Sequence, residues 1–289
     1  MAVLTASTSV LVPVASNKPL FKYRIPKAWL PGIRAFFVSV WGLSGLNAWA
    51  FCEKTPADLA ALTPVTVDYV IDGDSLQLVS GEQLRLIGVN TPEMKGPQPL
   101  AAEAKARLKA LIAGQTLYFQ PGAEPKDKYQ RLLGHLFLPD GRNIEAVLLE
   151  EGLGFLVAIP PNLALLGCQQ LARDTARRQK QGVWAQAYYQ AKAVVAVTDE
   201  DTGFIRLQGR LQSVAQSRNA WWLQLDGPVV MKIADKNQGY FDWQQLRQRV
   251  GRPLVVSGWM VKRRQKTHPD EKYSPYVLLL SHPKLLEWQ

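Results

Sequence analysis

Between Val65 and Val89, apolar and polar positions alternate in three short runs, VTVDYVI, SLQLVS and QLRLIGV, separated by Asp-Gly-Asp and Ser-Gly-Glu. A period of two, broken by Asp-Gly and Ser-Gly turn formers, predicts strands joined by tight turns. The period then changes. Residues 99–113, PLAAEAKARLKALIA, place apolar residues four apart and stop at Gly114, which predicts a helix. TLYFQPG (116–122) and RLLGHLFLPDGR (131–142) return to strand. Asn143 is a candidate N-cap for the helix NIEAVLLEEG, and a further helix fits 163–181 and ends near Gly182. Strands followed by helices predict an α+β unit or a small barrel with helices packed on it, over 65–185. Residues 185–202 read as a connection. From Phe204, five short strand patterns with one helical insertion near 241–249 fit a second small β-barrel over 203–289. The two halves show no sequence repeat.

The 289 residues carry a formal net charge of +10. A basic chain favours a polyanionic partner, either nucleic acid or an anionic membrane surface. Five of the positive charges, Lys18, Lys22, Arg24, Lys27 and Arg34, lie in the first fifty residues, which hold no Asp or Glu. There an apolar run, AFFVSVWGLSGL (35–46), follows the basic residues and precedes Ala48-Trp49-Ala50. That order predicts an export signal cleaved after Ala50, hence a periplasmic or secreted protein. The alternative is an uncleaved N-terminal anchor, and only then a membrane association. Cys52 and Cys168 either pair in an oxidising compartment or stay as free thiols. Neither Cys-x-x-Cys nor paired histidines occur, which argues against zinc. Of the three histidines, His135 alternates with apolar residues in LLGHLFL and reads as a packed residue rather than a catalyst.

The chemistry concentrates in VIDGDSLQL and LRLIGVNTPE. Asp74 and Glu93 fall at the ends of neighbouring predicted strands and can converge on a hard cation, which takes oxygen ligands. Arg85 comes off the same strand pair, and Arg131 opens a later strand in KDKYQRLLGHL. Two guanidinium groups facing a metal-binding carboxylate suit a phosphodiester, because arginine bonds phosphate oxygens bidentately. Taken alone, Asp-Gly-Asp is a turn and a single strand arginine an edge residue. Order and spacing together carry the chemical reading.

VIDGDSLQL, LRLIGVNTPE, AAEAKARLKALIAG, DKYQRLLGHLFLPDGRNIEAVLLEEGL and KQGVW, in that order over roughly 65–185, resemble the thermonuclease family of staphylococcal-nuclease-like enzymes. The resemblance implies an OB-type five-stranded barrel with three packed helices. It also implies calcium-dependent hydrolysis of DNA and RNA with little sequence preference. Carried over by position, Asp74 is the main calcium carboxylate, position 90 a direct ligand, and Thr91 gives its backbone carbonyl. Glu93 is the general base, and Arg85 and Arg131 bind the scissile phosphate. Lys128 and Tyr129 flank the terminal phosphate of the nucleotide, and Asp72 stands behind the metal ligands.

Asn90 departs from the family, which has Asp there. Asparagine keeps the oxygen and loses a charge, so weaker calcium binding is expected, with Asp72, Asp74 and Glu93 left to balance the ion. Ser75 replaces the usual Thr and keeps the hydroxyl. Asn90 also supports a second reading, a nucleic-acid-binding scaffold that has lost turnover. A third is an envelope protein whose basic surface meets anionic lipid. VKRRQKTHPDEK (261–272) reads as a solvated loop or as a phosphate contact. Trp221 and Trp222, adjacent on a strand, face opposite ways, so one packs inward and the other is available to stack on a base or pack on a neighbouring domain. Single strands are the expected substrate, since a duplex is too stiff to enter a small cleft.

Overall fold

The computed structural model describes residues 52–96, 98–263 and 274–289; the segment expected to be an export signal, 1–50, and most of the basic stretch 261–272 lie outside them. After a one-turn helix, α1 (Pro56–Ala60), β1 (Thr63–Val65) and β2 (Val67–Asp72) are two halves of one strand broken at Thr66. β3 (Ser75–Leu78), β4 (Gln83–Leu86) and a two-residue β5 (Val89–Asn90) follow, then α2 (Ala101–Ile112). β6 (Leu117–Lys126) and β7 (Leu132–Phe137) form a hairpin, followed by α3 (Ile144–Glu150), β8 (Phe155–Leu156) and α4 (Leu166–Arg178). The sheet order is β1-β6-β7-β4-β3-β2. Its two outer strands are the two halves of the same strand, so the sheet closes into the expected five-stranded barrel, with α2, α3 and α4 packed on it. The expected strand at 116–122 runs on to Lys126, and the helix expected at 163–181 is shorter, Leu166–Arg178.

Local chemistry sets the element ends. Asn143 caps α3, its side-chain oxygen accepting from Ala146 N at 2.9 Å. Its amide nitrogen donates to Glu145 at 2.6 Å, and Glu145 bonds His135 Nδ1 at 2.9 Å. All three are buried, so His135 is a core residue, as expected. Cys52 and Cys168 form a disulfide with Cα atoms 5.5 Å apart, tying the lead-in segment to α4.

The second barrel repeats the plan. β9 (Lys192–Ala193) runs beside β10 (Gly203–Ser217); β11 (Ala220–Leu225), β12 (Val229–Ala234), α5 (Trp243–Gln248), β13 (Pro253–Lys262), β14 (Tyr276–Leu279) and β15 (Leu286–Trp288) follow. Strands pair as β10-β11-β12-β14-β13, and β13 returns to pair with β10. Counted from the first strand of each barrel, both follow the order 1-2-3-5-4-1 with a helix between strands three and four. That is the OB arrangement, reached twice without a sequence repeat. The stretch expected as a bare connection, 185–202, contributes β9 and docks against the first barrel.

The two barrels share packing. Ala158, Leu163 and Leu166 join the core of the second barrel. Ser281 Oγ donates to Ala158 O at 2.6 Å. Glu287 on β15 faces Arg177 of α4 at 2.7 Å, Arg206 of β10 at 3.5 Å and Arg173 of α4 at 3.8 Å. Removing this one carboxylate leaves three clustered guanidinium groups, that of Arg173 buried and that of Arg206 largely so. Glu287→Gln should lower stability by roughly 1–3 kcal/mol, less than the roughly 3–5 kcal/mol of a wholly buried pair because Arg177 is half exposed. A drop in the urea midpoint checks it; an unchanged midpoint means that the cluster contributes nothing to stability.

Candidate active site

The site begins at the β2–β3 turn. Asp72 ends one strand, Ser75 begins the next, and Asp72 Oδ1 accepts Asp74 N at 3.1 Å, holding the turn closed. Gly73 is required for packing: a Cβ there would lie 2.6 Å from Thr91 Oγ1 and 2.8 Å from Ala104 Cβ. The turn therefore presses against the Thr91 segment and α2, and Asp74 is driven inward, 4% exposed.

Around the Asp74 carboxylate, three donors converge. Arg85 Nη1, from β4, lies 2.6 Å from Oδ1. Ser75 Oγ donates to Oδ1 at 3.1 Å, and Thr91 N donates to Oδ2 at 2.7 Å. The other arm of Arg85 donates to Asn90 Oδ1 at 3.1 Å. One guanidinium thus joins the two side-chain oxygens singled out from the sequence. Asn90 is fixed in turn by β5, which pairs with β8 so that Asn90 stands opposite Phe155. Burial pushes the Asp74 carboxyl up to about 6; Arg85 opposes the shift, neighbouring Asp72 adds to it, and the Thr91 hydrogen bond opposes it.

The remaining candidates sit outside this group. Glu93 lies three positions beyond Asn90 on an exposed loop, its backbone N–H donating to Gln98 Oε1 at 3.0 Å. β7 runs parallel to β4 with Leu132 opposite Leu84 and Leu133 opposite Arg85, which puts Arg131 at the mouth of the neighbouring strand, two positions before the register partner of Arg85. Arg131 Nε is held by Asp127 Oδ2 at 2.8 Å, and Asp127 Oδ1 also accepts the Tyr129 and Arg131 backbone N–H groups. Tyr129 is exposed, with the Lys128 ammonium 4.9 Å and the Arg131 guanidinium 5.7 Å from its ring centroid. Asp127 and Gln98 were not singled out in the sequence. For Asp127 a signal existed, a carboxylate four residues before Arg131 at the mouth of a hairpin. Gln98 carried none.

Among the described residues no three acids, histidines or cysteines cluster as a metal site. The sequence expectation gives Asp72, Asp74 and Glu93 together to balance the ion. Asp72 is committed to its own turn, and Glu93 is exposed and makes no ion pair among the described residues. What remains is Asp74, the Asn90 amide and the Thr91 backbone. This all-oxygen set fits a hard cation. The Asp74 carboxyl, raised even beside Arg85, marks a place where further positive charge is favourable. Asn90 makes that set less charged than one with two carboxylates.

The family described as Staphylococcal nuclease homologue matches residues 83–186. An "Uncharacterized endonuclease" of Escherichia coli O157:H7 is 30% identical over 127 residues, 41% of this chain and 74% of that protein. A "Thermonuclease" of Staphylococcus intermedius is 33% identical over 125 residues, again 41% of this chain and 74% of the relative. "Endonuclease YhcR" of Bacillus subtilis (strain 168) is 30% identical over 134 residues, 41% of this chain and 11% of that protein.

Proposed function

From a chain that belongs to the family of staphylococcal nuclease homologues, we propose a calcium-dependent nuclease that hydrolyses phosphodiester bonds of DNA and RNA, preferring single strands. The observation that carries it is Arg85 bridging Asp74 and Asn90, with Arg131 entering the neighbouring strand of the same barrel two positions before the register partner of Arg85. Asp74, Asn90 and the Thr91 carbonyl would hold calcium, which supplies charge neutralisation at the phosphate. Arg85 and Arg131 bind the non-bridging oxygens and the charge that develops on them. Glu93 takes the proton from the attacking water as the P–O ester bond breaks. Lys128 and Tyr129 flank the terminal phosphate of the nucleotide. Asp72 and Asp127 act through others, the first by holding the Asp74 turn and the second by aiming Arg131.

In the second barrel, Trp221 packs inward against Trp243, its ring stacked at 3.8 Å. Trp222 faces outward on β11, with Lys232 at 5.4 Å and Arg263 at 5.2 Å from its ring. Strands two and three of an OB barrel are its usual nucleic-acid face, so this surface suits a strand held for cutting. The export reading of residues 1–50 stays part of the proposal, as a periplasmic or secreted enzyme; anchorage to a membrane would follow only if that segment is not cleaved. No described helix is long and apolar enough to cross a membrane.

A second reading, a binder without turnover, is favoured by Asn90 alone. Calcium titration of single-stranded DNA cleavage by the purified protein, followed by chelator, tests both. Loss of cutting in chelator supports the enzyme; no cutting at any calcium level supports the binder. Asn90→Asp should tighten calcium binding on the order of tenfold by calorimetry, by adding a charge to the ligand set. Unchanged affinity would remove position 90 from the calcium site.

A further inference from the structure

We propose that the cleft between the two barrels, beside Glu93, is a nucleobase subsite: it takes one unpaired base of the strand whose phosphate lies on Arg85 and Arg131. This rests on the nuclease reading above. The cleft has a volume of about 450 Å³, within the roughly 300–1,000 Å³ of small-molecule sites. Its lining includes the Asn90–Glu93 segment itself, the start of β10 and Trp259 of β13. Any group seated there is next to the proposed reacting phosphate.

The lining matches a base better than a phosphate. Five of its aromatic rings touch in series. Trp259 meets Phe204 at 5.1 Å, Phe204 meets Phe155 at 5.3 Å, Phe155 meets Tyr189 at 5.3 Å, and Tyr189 meets Tyr188 at 4.9 Å. Phe155 is buried at the middle of the row, while Tyr188 at one end is 63% exposed and Trp259 at the other is half-buried. Ring faces at the ends of such a row stack on a base of any sequence. The charges in the cleft are balanced. Lys192 is paired with Asp201 at 2.6 Å, Arg206 faces Glu287 at 3.5 Å, and Lys95 stands among the same lining as Glu93 and Glu200. A phosphate gains little from this lining; a neutral aromatic ring does.

The lining is also tied to the catalytic loop. Tyr189 Oη donates to Pro99 O at 2.7 Å, on the segment that follows Glu93. Phe155 is the register partner of Asn90. The subsite and the proposed reacting groups are therefore parts of one rigid neighbourhood. A base can enter only if unpaired, so the subsite supplies a physical basis for selecting single strands.

The test uses the full chain with a single-stranded oligonucleotide carrying 5-iodo-deoxyuridine, irradiated in chelator so that no cutting occurs. The cross-link should map by mass spectrometry to Tyr188 or Trp259. With calcium, Tyr188→Ala should raise KM for single-stranded DNA by roughly five- to a hundredfold, the range of one lost base stack, at unchanged kcat. Tyr188→Phe, which keeps the ring, should behave as the parent. Cutting that proceeds with KM unmoved by Tyr188→Ala, or cross-links confined to Trp222, overturns the subsite and leaves the nuclease standing. A protein that never cuts yet cross-links at Tyr188 or Trp259 overturns the nuclease and leaves a base-binding cleft.

Discussion

Glu93→Gln should lower kcat on single-stranded DNA by roughly 100- to 10,000-fold, the usual worth of a positioned general base. Glutamine keeps the shape and the exposed position of the side chain but accepts no proton. Because Glu93 makes no ion pair among the described residues and is exposed, folding should be unaffected, within about 0.5 kcal/mol. Oligonucleotide affinity in chelator should hold or improve, since a negative charge leaves the neighbourhood of the phosphate-binding arginines. Rate and affinity thus move apart, a split that damage to the fold would not produce. A binder without turnover gives a different pattern: no cutting by either form, with the affinity gain alone. Single-turnover cleavage and fluorescence anisotropy on the same oligonucleotide decide between them. An unchanged rate in a cutting enzyme would take the general base away from Glu93.

Much of this site was legible because its residues are close in sequence. Asp74, in the turn between two strands whose period was clear, and Arg85, on the next strand, are eleven residues apart, and Asn90 and Thr91 follow at once. The barrel that presents them was legible for the same reason. Two things were not. The sequence expected Glu93 to converge with Asp74 but carried nothing on its exposure, and the chain turns outward after Pro92, leaving Glu93 open to solvent. Local strand pattern carries no information on where a loop goes after its last pairing. The inter-barrel cleft was also hidden. Phe155, Tyr189 and Phe204 come from three separate segments, and each reads alone as core or connection. Only closure of the second barrel, through the β13–β10 pairing, brings Trp259 beside Phe204. The second small barrel was visible as strand counts, but its parallel β12–β14 pairing is a long-range choice that periodicity does not encode.

The second large effect concerns Asp74, and its sign is opposite to that of an ordinary ion-paired acid. The carboxyl stands near 3.8 when unfolded and is raised to about 6 in the folded protein by burial. Between these values the folded chain holds a proton that the unfolded chain has lost. Stability from this group is therefore full below about pH 4 and is lost as pH rises through about 6, on the order of 3 kcal/mol in all. Other carboxylates pull the other way. Asp127 and Asp201, held low by their Arg131 and Lys192 bonds against burial, add stability as pH rises through the acid range. The clean quantity is thus the difference between parent and Asp74→Asn. In chelator, the urea-derived stability of the parent should fall relative to Asp74→Asn between pH 4 and pH 6.5. Calcium should oppose that fall in the parent, because a cation on the carboxylate favours its ionised form. It should leave Asp74→Asn unmoved. A parent whose difference from Asp74→Asn is flat with pH would mean that Arg85 already compensates the buried charge. A calcium response that survives Asp74→Asn would move the ion elsewhere. The slope and the calcium response together read the same fact, that Asn90 leaves one buried carboxylate with one guanidinium and room for more positive charge.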